Sequence, residues 1–112
     1  MADFHIKALD QLPVLSATLE NGAGEAVSLA GVQGVRFLMR AMRGATSPKV
    51  NGAASVDDAI AGKVHYDWQS SDTDTPGGYR GEWLVTFSDG RSERFPNNRS
   101  LTVAVHERLD PV

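Results

Sequence analysis

The stretch Gly77–Phe95, GGYRGEWLVTFSDGRSERF, decides the fold of this 112-residue chain. Apolar side chains and one glycine recur at every second position from Tyr79 to Phe87, which is the period of a strand that buries one face. The turn-forming residues Ser88-Asp89-Gly90 follow, and glycine accepts a positive φ at no steric cost. The chain then returns as a second strand. The stretch therefore predicts a β-hairpin.

The length of the hairpin loop sets the register of its two strands. A two-residue loop, Asp89-Gly90, would pair Phe95 with Leu84. That register would separate Phe95 from Trp83. A three-residue loop, which adds Ser88, pairs Phe95 with Trp83 and joins the aromatic side chains on one face. A type I turn followed by a glycine bulge is the usual form of such a loop, and we predict the three-residue loop.

Short alternating segments on the N-terminal and C-terminal sides of the hairpin predict further strands. Turn signals separate them closely, Gln69–Gly78 reads as a loop, and a turn is expected at Asp57-Asp58. The pattern predicts an all-β fold, an antiparallel β-sandwich of seven to nine short strands. The extended segments outside the hairpin are Phe4–Ile6, Pro13–Leu19, Ala26–Leu29, Val35–Met42, Ala53–Val56, Lys63–Trp68 and Leu101–Val105.

The segment Val35–Met42 is ambiguous, because its sequence VRFLMRAM also tolerates a helix. Close glycine boundaries and neighbouring strands favour a strand. In that strand Leu38 and Met42 point outward, away from the core.

The inward positions of these strands predict one shared core. Trp68 and Trp83 are expected to supply its central bulk. Tyr79 follows a loop and precedes core position Gly81 by two residues, which is similar to the tyrosine corner of immunoglobulin-like sandwiches. Antibody domains have a cysteine at that core position, whereas this chain contains none. The predicted core is Leu15, Leu19, Val35, Phe37, Val64, Tyr66, Trp68, Trp83, Val85, Phe87, Phe95, Val103 and Val105.

Composition excludes several classes of function. A net charge of −3 offers no general electrostatic basis for binding nucleic acid. The absence of cysteine excludes disulfides and thiolate metal sites. No apolar run approaches the roughly 20 residues of a membrane helix, and the first ten residues lack a secretory signal pattern. We therefore expect synthesis in the cytoplasm, with neither a membrane nor nucleic acid as partner.

Several motifs resemble a family of small phage structural domains, the immunoglobulin-like N-terminal domain of siphophage baseplate upper proteins. The resemblance extends from about Leu12 to Glu107. Its first half is carried by Leu12–Leu19, Gly22–Leu29 and Val35-Arg36-Phe37. Its second half is carried by VHYDW at Val64–Trp68, DTDTPGGY at Asp72–Tyr79, Gly81-Glu82-Trp83, Val85-Thr86-Phe87, Asp89-Gly90 and Phe95-Pro96.

This resemblance implies a virion component of a long-tailed phage, made in the host bacterial cytoplasm and assembled into a symmetric tail tip or baseplate. Its partners would be copies of itself and other virion proteins, with no cofactor and no enzymatic activity. Baseplate upper proteins carry long C-terminal regions, whereas this sequence ends at Val112. Decoration of a capsid or tail tube is therefore an alternative, and a surface carbohydrate-binding module is another.

The sequence contains no residue pattern typical of a metal site. The three histidines, at positions 5, 65 and 106, lack the close spacing of a ligand set. Asp67, Asp72 and Asp74 lie in one acidic segment, and carboxylates of this kind can hold calcium. The order of an EF-hand is absent, however, and the segment has ordinary turn chemistry.

Catalytic patterns are equally weak. Glu82 and Glu93 could form a glycosidase-like pair across the hairpin, but the predicted register places them on opposite faces. No Gly-x-Ser-x-Gly motif is present. The glycines around Ala23 and between Gly31 and Gly34 lack the strand–helix context of a phosphate-binding loop. We expect no catalytic, cofactor or metal residues.

Two regions are candidates for partner contacts. Arg36, Arg40 and Arg43 cluster with Leu38 and Met42, and arginine and methionine are enriched at interfaces. A solvated strand face is the alternative interpretation of this cluster.

The second candidate is the N-terminal arm Ala2–Leu9, which includes Phe4 and Ile6. Such an arm could add a strand to a neighbour's sheet edge. The expected organisation is an N-terminal strand or arm over residues 1–11, a β-sandwich domain over residues 12–107 and a C-terminal tail over residues 108–112.

Overall fold

Two β-sheets face each other in the computed structural model, which describes residues 2–110. The predicted all-β sandwich is confirmed: nine short strands and a single 3-10 turn make up its regular structure in the described residues. The strands are β1 (Phe4–Lys7), β2 (Leu15–Thr18), β3 (Gly34–Ala41), β4 (Val50–Ala53), β5 (Ser55–Asp58), β6 (Lys63–Tyr66), β7 (Gly77–Thr86), β8 (Ser92–Phe95) and β9 (Leu101–His106), and the turn is Ser70–Thr73.

The strands divide into a large sheet of six and a small sheet of three. The large sheet has the order β1-β9-β7-β3-β4, and β8 pairs with the C-terminal half of β7. The small sheet has the order β2-β6-β5. The pairs are antiparallel, as expected, except for β1, which runs parallel to β9. Along β2 the sandwich is open, with a cleft of about 500 Å³ between this strand and the 96–99 connection.

The central hairpin has the predicted register, in which Trp83 lies opposite Phe95. The amide of Phe87 donates to the carbonyl oxygen of Arg91 at 2.8 Å and closes the three-residue loop. Gly90 adopts a φ of 90°, a conformation that favours glycine. The prediction from the aromatic pattern is therefore confirmed.

The strand interpretation of Val35–Met42 is also confirmed over Gly34–Ala41. Val35, Phe37 and Met39 are buried, and the residues between them face outward. Tertiary packing of alternate side chains decides this segment, because its propensity is compatible with either structure.

The core joins the two sheets through one aromatic cluster. The Phe37 ring centroid lies 5.3 Å from Tyr66, 5.8 Å from Trp68 and 5.0 Å from Trp83. Of the predicted core residues, Phe87 is only partly buried, because it lies at the hairpin tip. The buried hydrophobic side chains are Ile6, Ala8, Leu15, Leu19, Leu29, Val35, Phe37, Met39, Val50, Val64, Tyr66, Trp68, Tyr79, Trp83, Val85, Phe95, Leu101, Val103 and Val105.

The tyrosine corner is present. The Tyr79 hydroxyl donates to the carbonyl oxygen of Thr75 at 2.5 Å, four residues upstream. A Cβ at Gly81 would lie 2.9 Å from the Phe37 ring, closer than real Cβ contacts. The core therefore requires glycine at the position where antibody domains carry cysteine.

Of the two predicted forms of the N-terminal segment, a strand or an arm, the structure shows a strand. This segment forms β1, an edge strand in which Ile6 lies opposite Val105 of the same chain. Ile6 is 3% exposed, and Phe4 stacks on Trp68. The expected boundary near residue 11 consequently does not separate an arm from the sandwich.

Two loop predictions also need correction. Asp57-Asp58 lie in β5 rather than in a turn, and the turn follows at 59–62. The chain changes sheets at Ala54, between β4 and β5. The predicted loop at Gln69–Gly78 contains the 3-10 turn Ser70–Thr73 and the first residues of β7. Of the predicted tail 108–112, residues 111 and 112 lie outside the described residues.

Candidate interaction surface

The outer face of the large sheet is built from alternate residues of β3 and β7. The register places Leu38 opposite Glu82 and Arg40 opposite Arg80. Because the side chains at positions 35, 37 and 39 point into the core, those at positions 36, 38 and 40 point away from it. We call this region, with the adjoining Met42, the arginine face.

Hydrogen bonds fix part of the arginine face. Arg36 donates from Nε to Asn51 Oδ1 at 2.8 Å and from Nη2 to the Asn51 carbonyl at 2.7 Å. Arg94 Nη1 lies 2.8 Å from Glu82 Oε2, which neutralises that carboxylate. These partners hold the two guanidinium groups against the sheet.

Arg40 and Arg80 are different, because they lie directly opposite each other on neighbouring strands. Both are exposed, and within residues 2–110 neither forms an ion pair. Like charges in directly opposed positions destabilise a sheet. The repulsion between the two guanidinium groups therefore destabilises the sheet, and a bound anion would reduce that repulsion.

A shallow cleft of about 220 Å³ lies beside this pair. Its polar lining residues are Arg40, Arg80, Thr46, Ser100 and Glu82, the last of which is paired with Arg94. Two arginine forks and two hydroxyls are suitable donors for a carboxylate. The cleft therefore combines two arginines that have no ion-pair partner in residues 2–110 with one carboxylate that is already paired.

Apolar atoms border the charged pair. Met42 is 40% exposed. Its side chain lies beside Gly78 of β7, where an added Cβ would be 3.1 Å from the Met42 Sδ. Leu38 is half-buried on the same face, and Arg43 is exposed in the bend after β3. Of the predicted contact residues, the structure thus brings Arg36, Leu38, Arg40, Met42 and Arg43 into one region.

The other two predicted contact residues belong elsewhere. Phe4 and Ile6 lie on β1, and Ile6 is part of the core. β1 pairs with β9 along one edge and is the terminal strand of the large sheet, so its pairing with a neighbour's sheet stays a prediction. Arg80 was not among the predicted contact residues, although its outward position in β7 follows from the alternation around Trp83.

Two of the three histidines, His5 and His106, are in contact. The parallel pairing of β1 with β9 brings His5 Nδ1 to 2.8 Å from His106 Nε2, and the two rings stack. The signal for this contact was absent from the sequence, because 101 residues separate the two positions. Within residues 2–110, no group of three or more His, Cys, Asp or Glu side chains could hold a metal ion.

His65 lies on the outer face of the small sheet between two carboxylates. Its Nδ1 is 2.6 Å from Asp57 Oδ1, and its Nε2 is 3.3 Å from Asp67 Oδ2. The hydrogen bond with Asp57, followed by the charges of both carboxylates, raises the pKa of His65 above its ordinary value.

The three aspartates of the acidic segment have separate partners. Asp72 is buried and accepts hydrogen bonds from the Tyr66 hydroxyl at 2.7 Å and the Gln69 amide at 2.8 Å. Burial, together with Asp72, raises the pKa of Tyr66. Asp74 pairs with Lys49 at 2.7 Å, and that contact lowers the pKa of Asp74. The segment therefore has the structural role that turn chemistry predicts.

Glu82 and Glu93, the two carboxylates considered as a catalytic pair, have different partners. Glu82 is paired with Arg94 on the arginine face, whereas Glu93 accepts a hydrogen bond from Asn97 at 3.1 Å. In the register, Glu93 lies opposite Val85.

No family model and no curated protein sequence matches this chain. Among solved structures, the chain is similar to CopC from Methylosinus trichosporium OB3b, with a TM-score of 0.56 and 15% sequence identity. The match covers 100% of this chain and 91% of that one. At this identity the likeness establishes the β-sandwich fold.

Proposed function

We propose that this chain is a non-enzymatic structural component of a tailed-phage virion, in the tail or baseplate, that acts by symmetric assembly. The observation that carries the proposal is the opposed pair Arg40 and Arg80 on an exposed sheet face, where neither has an ion-pair partner among the described residues. The resemblance over Leu12–Glu107 supplies the biological setting.

The rigidity of the sheet supports a role in assembly. Side chains on hydrogen-bonded strands hold a fixed spacing, and repeated contacts in a symmetric assembly use the same spacing in every copy. The apolar border formed by Leu38 and Met42 adds area that becomes buried on contact. Charged and apolar groups together make this face suitable for docking against a protein.

A carbohydrate-binding module loses its main support. Sugar binding of this kind needs exposed aromatic rings, whereas Tyr66, Trp68, Tyr79 and Trp83 are each no more than 5% exposed.

Across residues 2–110, no helix has the length and apolar character needed to cross a bilayer. Capsid decoration uses the same kind of surface as tail assembly, and particle fractionation distinguishes the two.

The test is quantitative mass spectrometry of phage particles purified by density gradient, with heads and tails separated. We expect peptides of this protein to remain with tails in a constant ratio to the main tail protein. Enrichment with heads would replace the tail assignment by capsid decoration. Absence from particles, with the protein confined to the soluble lysate, would contradict the proposal.

A further inference from the structure

The two outer faces of the sandwich carry opposite charge. Basic residues predominate on the strands of the large sheet, whereas acidic residues predominate on the small sheet. The large sheet carries Lys7, Arg36, Arg40, Arg80 and Arg94 against Glu82 and Glu93. The strands of the small sheet and the residue that follows β6 carry Asp57, Asp58 and Asp67 against Lys63. We call the small-sheet surface around His65 the acidic face.

The acidic face presents accessible carboxylates. The side chains of Asp57 and Asp67 are 44% and 66% exposed. Both carboxylates lie against one histidine, His65, whose single positive charge when protonated can balance only one of them. The acidic face thus offers the groups that Arg40 and Arg80 lack.

We propose that the arginine face of one copy docks on the acidic face of a second copy, so that copies assemble head to tail. The inference rests on the proposed function and names the partner of the same surface. Its basis is charge complementarity between two strand-built faces of one chain. A contact between different faces is heterologous, and it repeats until a ring closes or a stack grows.

The Arg40–Arg80 pair defines where a carboxylate of the second copy would bind. A partner carboxylate in the cleft beside the two arginines would screen their mutual repulsion and accept paired hydrogen bonds from a guanidinium. The cleft volume of about 220 Å³ leaves room for an aspartate side chain. Removing the charges of the arginine face, or those of the acidic face, should therefore weaken association between copies.

Charge reversal with complementation tests the contact in purified protein. Two double variants are compared with wild type by sedimentation velocity at about 0.05 M salt, where screening is weak. Arg40→Glu/Arg80→Glu makes both faces acidic, and Asp57→Lys/Asp67→Lys makes both basic. We expect each variant alone to associate at least about tenfold more weakly than wild type, because like charges then meet.

An equimolar mixture of the two variants is expected to restore association, because the acidic faces of one variant meet the basic faces of the other. Raising the salt to about 0.5 M should weaken wild-type association as well. All four substituted side chains are exposed. The fluorescence of the buried Trp68 and Trp83 reports whether each variant is folded.

Matched controls carry the same charge changes away from both faces: Arg91→Glu/Arg108→Glu and Glu25→Lys/Glu107→Lys. They are expected to associate like wild type. Wild-type protein that stays monomeric at low salt, or a mixture that fails to associate, would overturn the inference. Loss of the protein from particles would instead count against the virion assignment, so the two failures are distinguishable.

Discussion

Single side chains at the centre of the sandwich hold its two sheets together. Phe37 contacts Trp83 within the large sheet and Tyr66 of the small sheet. Aromatic pairs add about 0.5–1.5 kcal/mol beyond the burial of their area. The identity of these residues could be predicted from the alternation of the sequence, since each lies at an inward position of its strand.

Trp83→Ala is expected to lower the free energy of unfolding by about 3–5 kcal/mol, because it removes a large buried ring and leaves a cavity. Urea denaturation followed by circular dichroism measures the change. The control is Leu84→Ala, a half-buried neighbour on the outer face, with an expected loss of about 1 kcal/mol. Wild-type stability in Trp83→Ala would contradict the central place of this residue.

Gly81→Ala is expected to destabilise the protein by about 1–3 kcal/mol, because its Cβ would overlap the ring of Phe37. Gly34→Ala is the matched control, since a Cβ there meets no atom within 4 Å. Thermal unfolding of both variants checks the comparison. Equal melting temperatures would show that the core yields to the added methyl group.

His65 makes stability depend on pH. Its pKa is raised in the folded chain by the hydrogen bond with Asp57. The protonated form is therefore favoured by folding, and this stabilisation is fully present below the unfolded pKa of about 6.5 and is lost as pH rises through the folded pKa. The difference in unfolding free energy between wild type and His65→Gln should shrink over that range.

Proton NMR titration checks the same prediction directly. His65 should titrate above its ordinary value, and Asp57→Asn should bring the pKa back down because the largest cause of the shift is removed. A His65 resonance that titrates at or below about 6.5 in wild type would contradict the assigned contact.

At the scale of elements, local patterns specify the hairpin but not β1. The loop Ser88-Asp89-Gly90 and the aromatic alternation fix the register of β7 and β8, because both signals lie within one short stretch. β1 has the same alternation, yet its partner β9 is remote in sequence and runs parallel. Alternation predicts a strand with one buried face, but it does not specify the sheet edge to which the strand binds.

Ile6→Ala is expected to cost about 2–5 kcal/mol, because Ile6 is a buried core residue of β1. Lys7→Ala, an exposed position on the same strand, should change stability by less than about 0.5 kcal/mol. Chemical denaturation of both variants provides the measurement. A folded Ile6→Ala protein with unchanged stability would restore the interpretation of this segment as a free arm.

At the scale of the whole molecule, charge is sorted between the two faces. Strand alternation predicted the outward position of Arg36 and Arg40, but the opposed Arg80 required the β3–β7 register. The acidic face required tertiary contacts, since the sequence predicted a turn at Asp57 and gave no link between this residue and His65. A single sequence therefore predicts the sandwich and part of the arginine face, whereas the charge asymmetry depends on topology.

We propose that this sandwich is a structural part of a phage tail. Immunogold labelling of intact purified particles with an antibody to this protein tests it most directly by electron microscopy. We expect gold at the tail tip or baseplate of each particle. Gold over the head would contradict the tail assignment, and particles that bind no gold, while the free protein is labelled, would contradict a place in the virion.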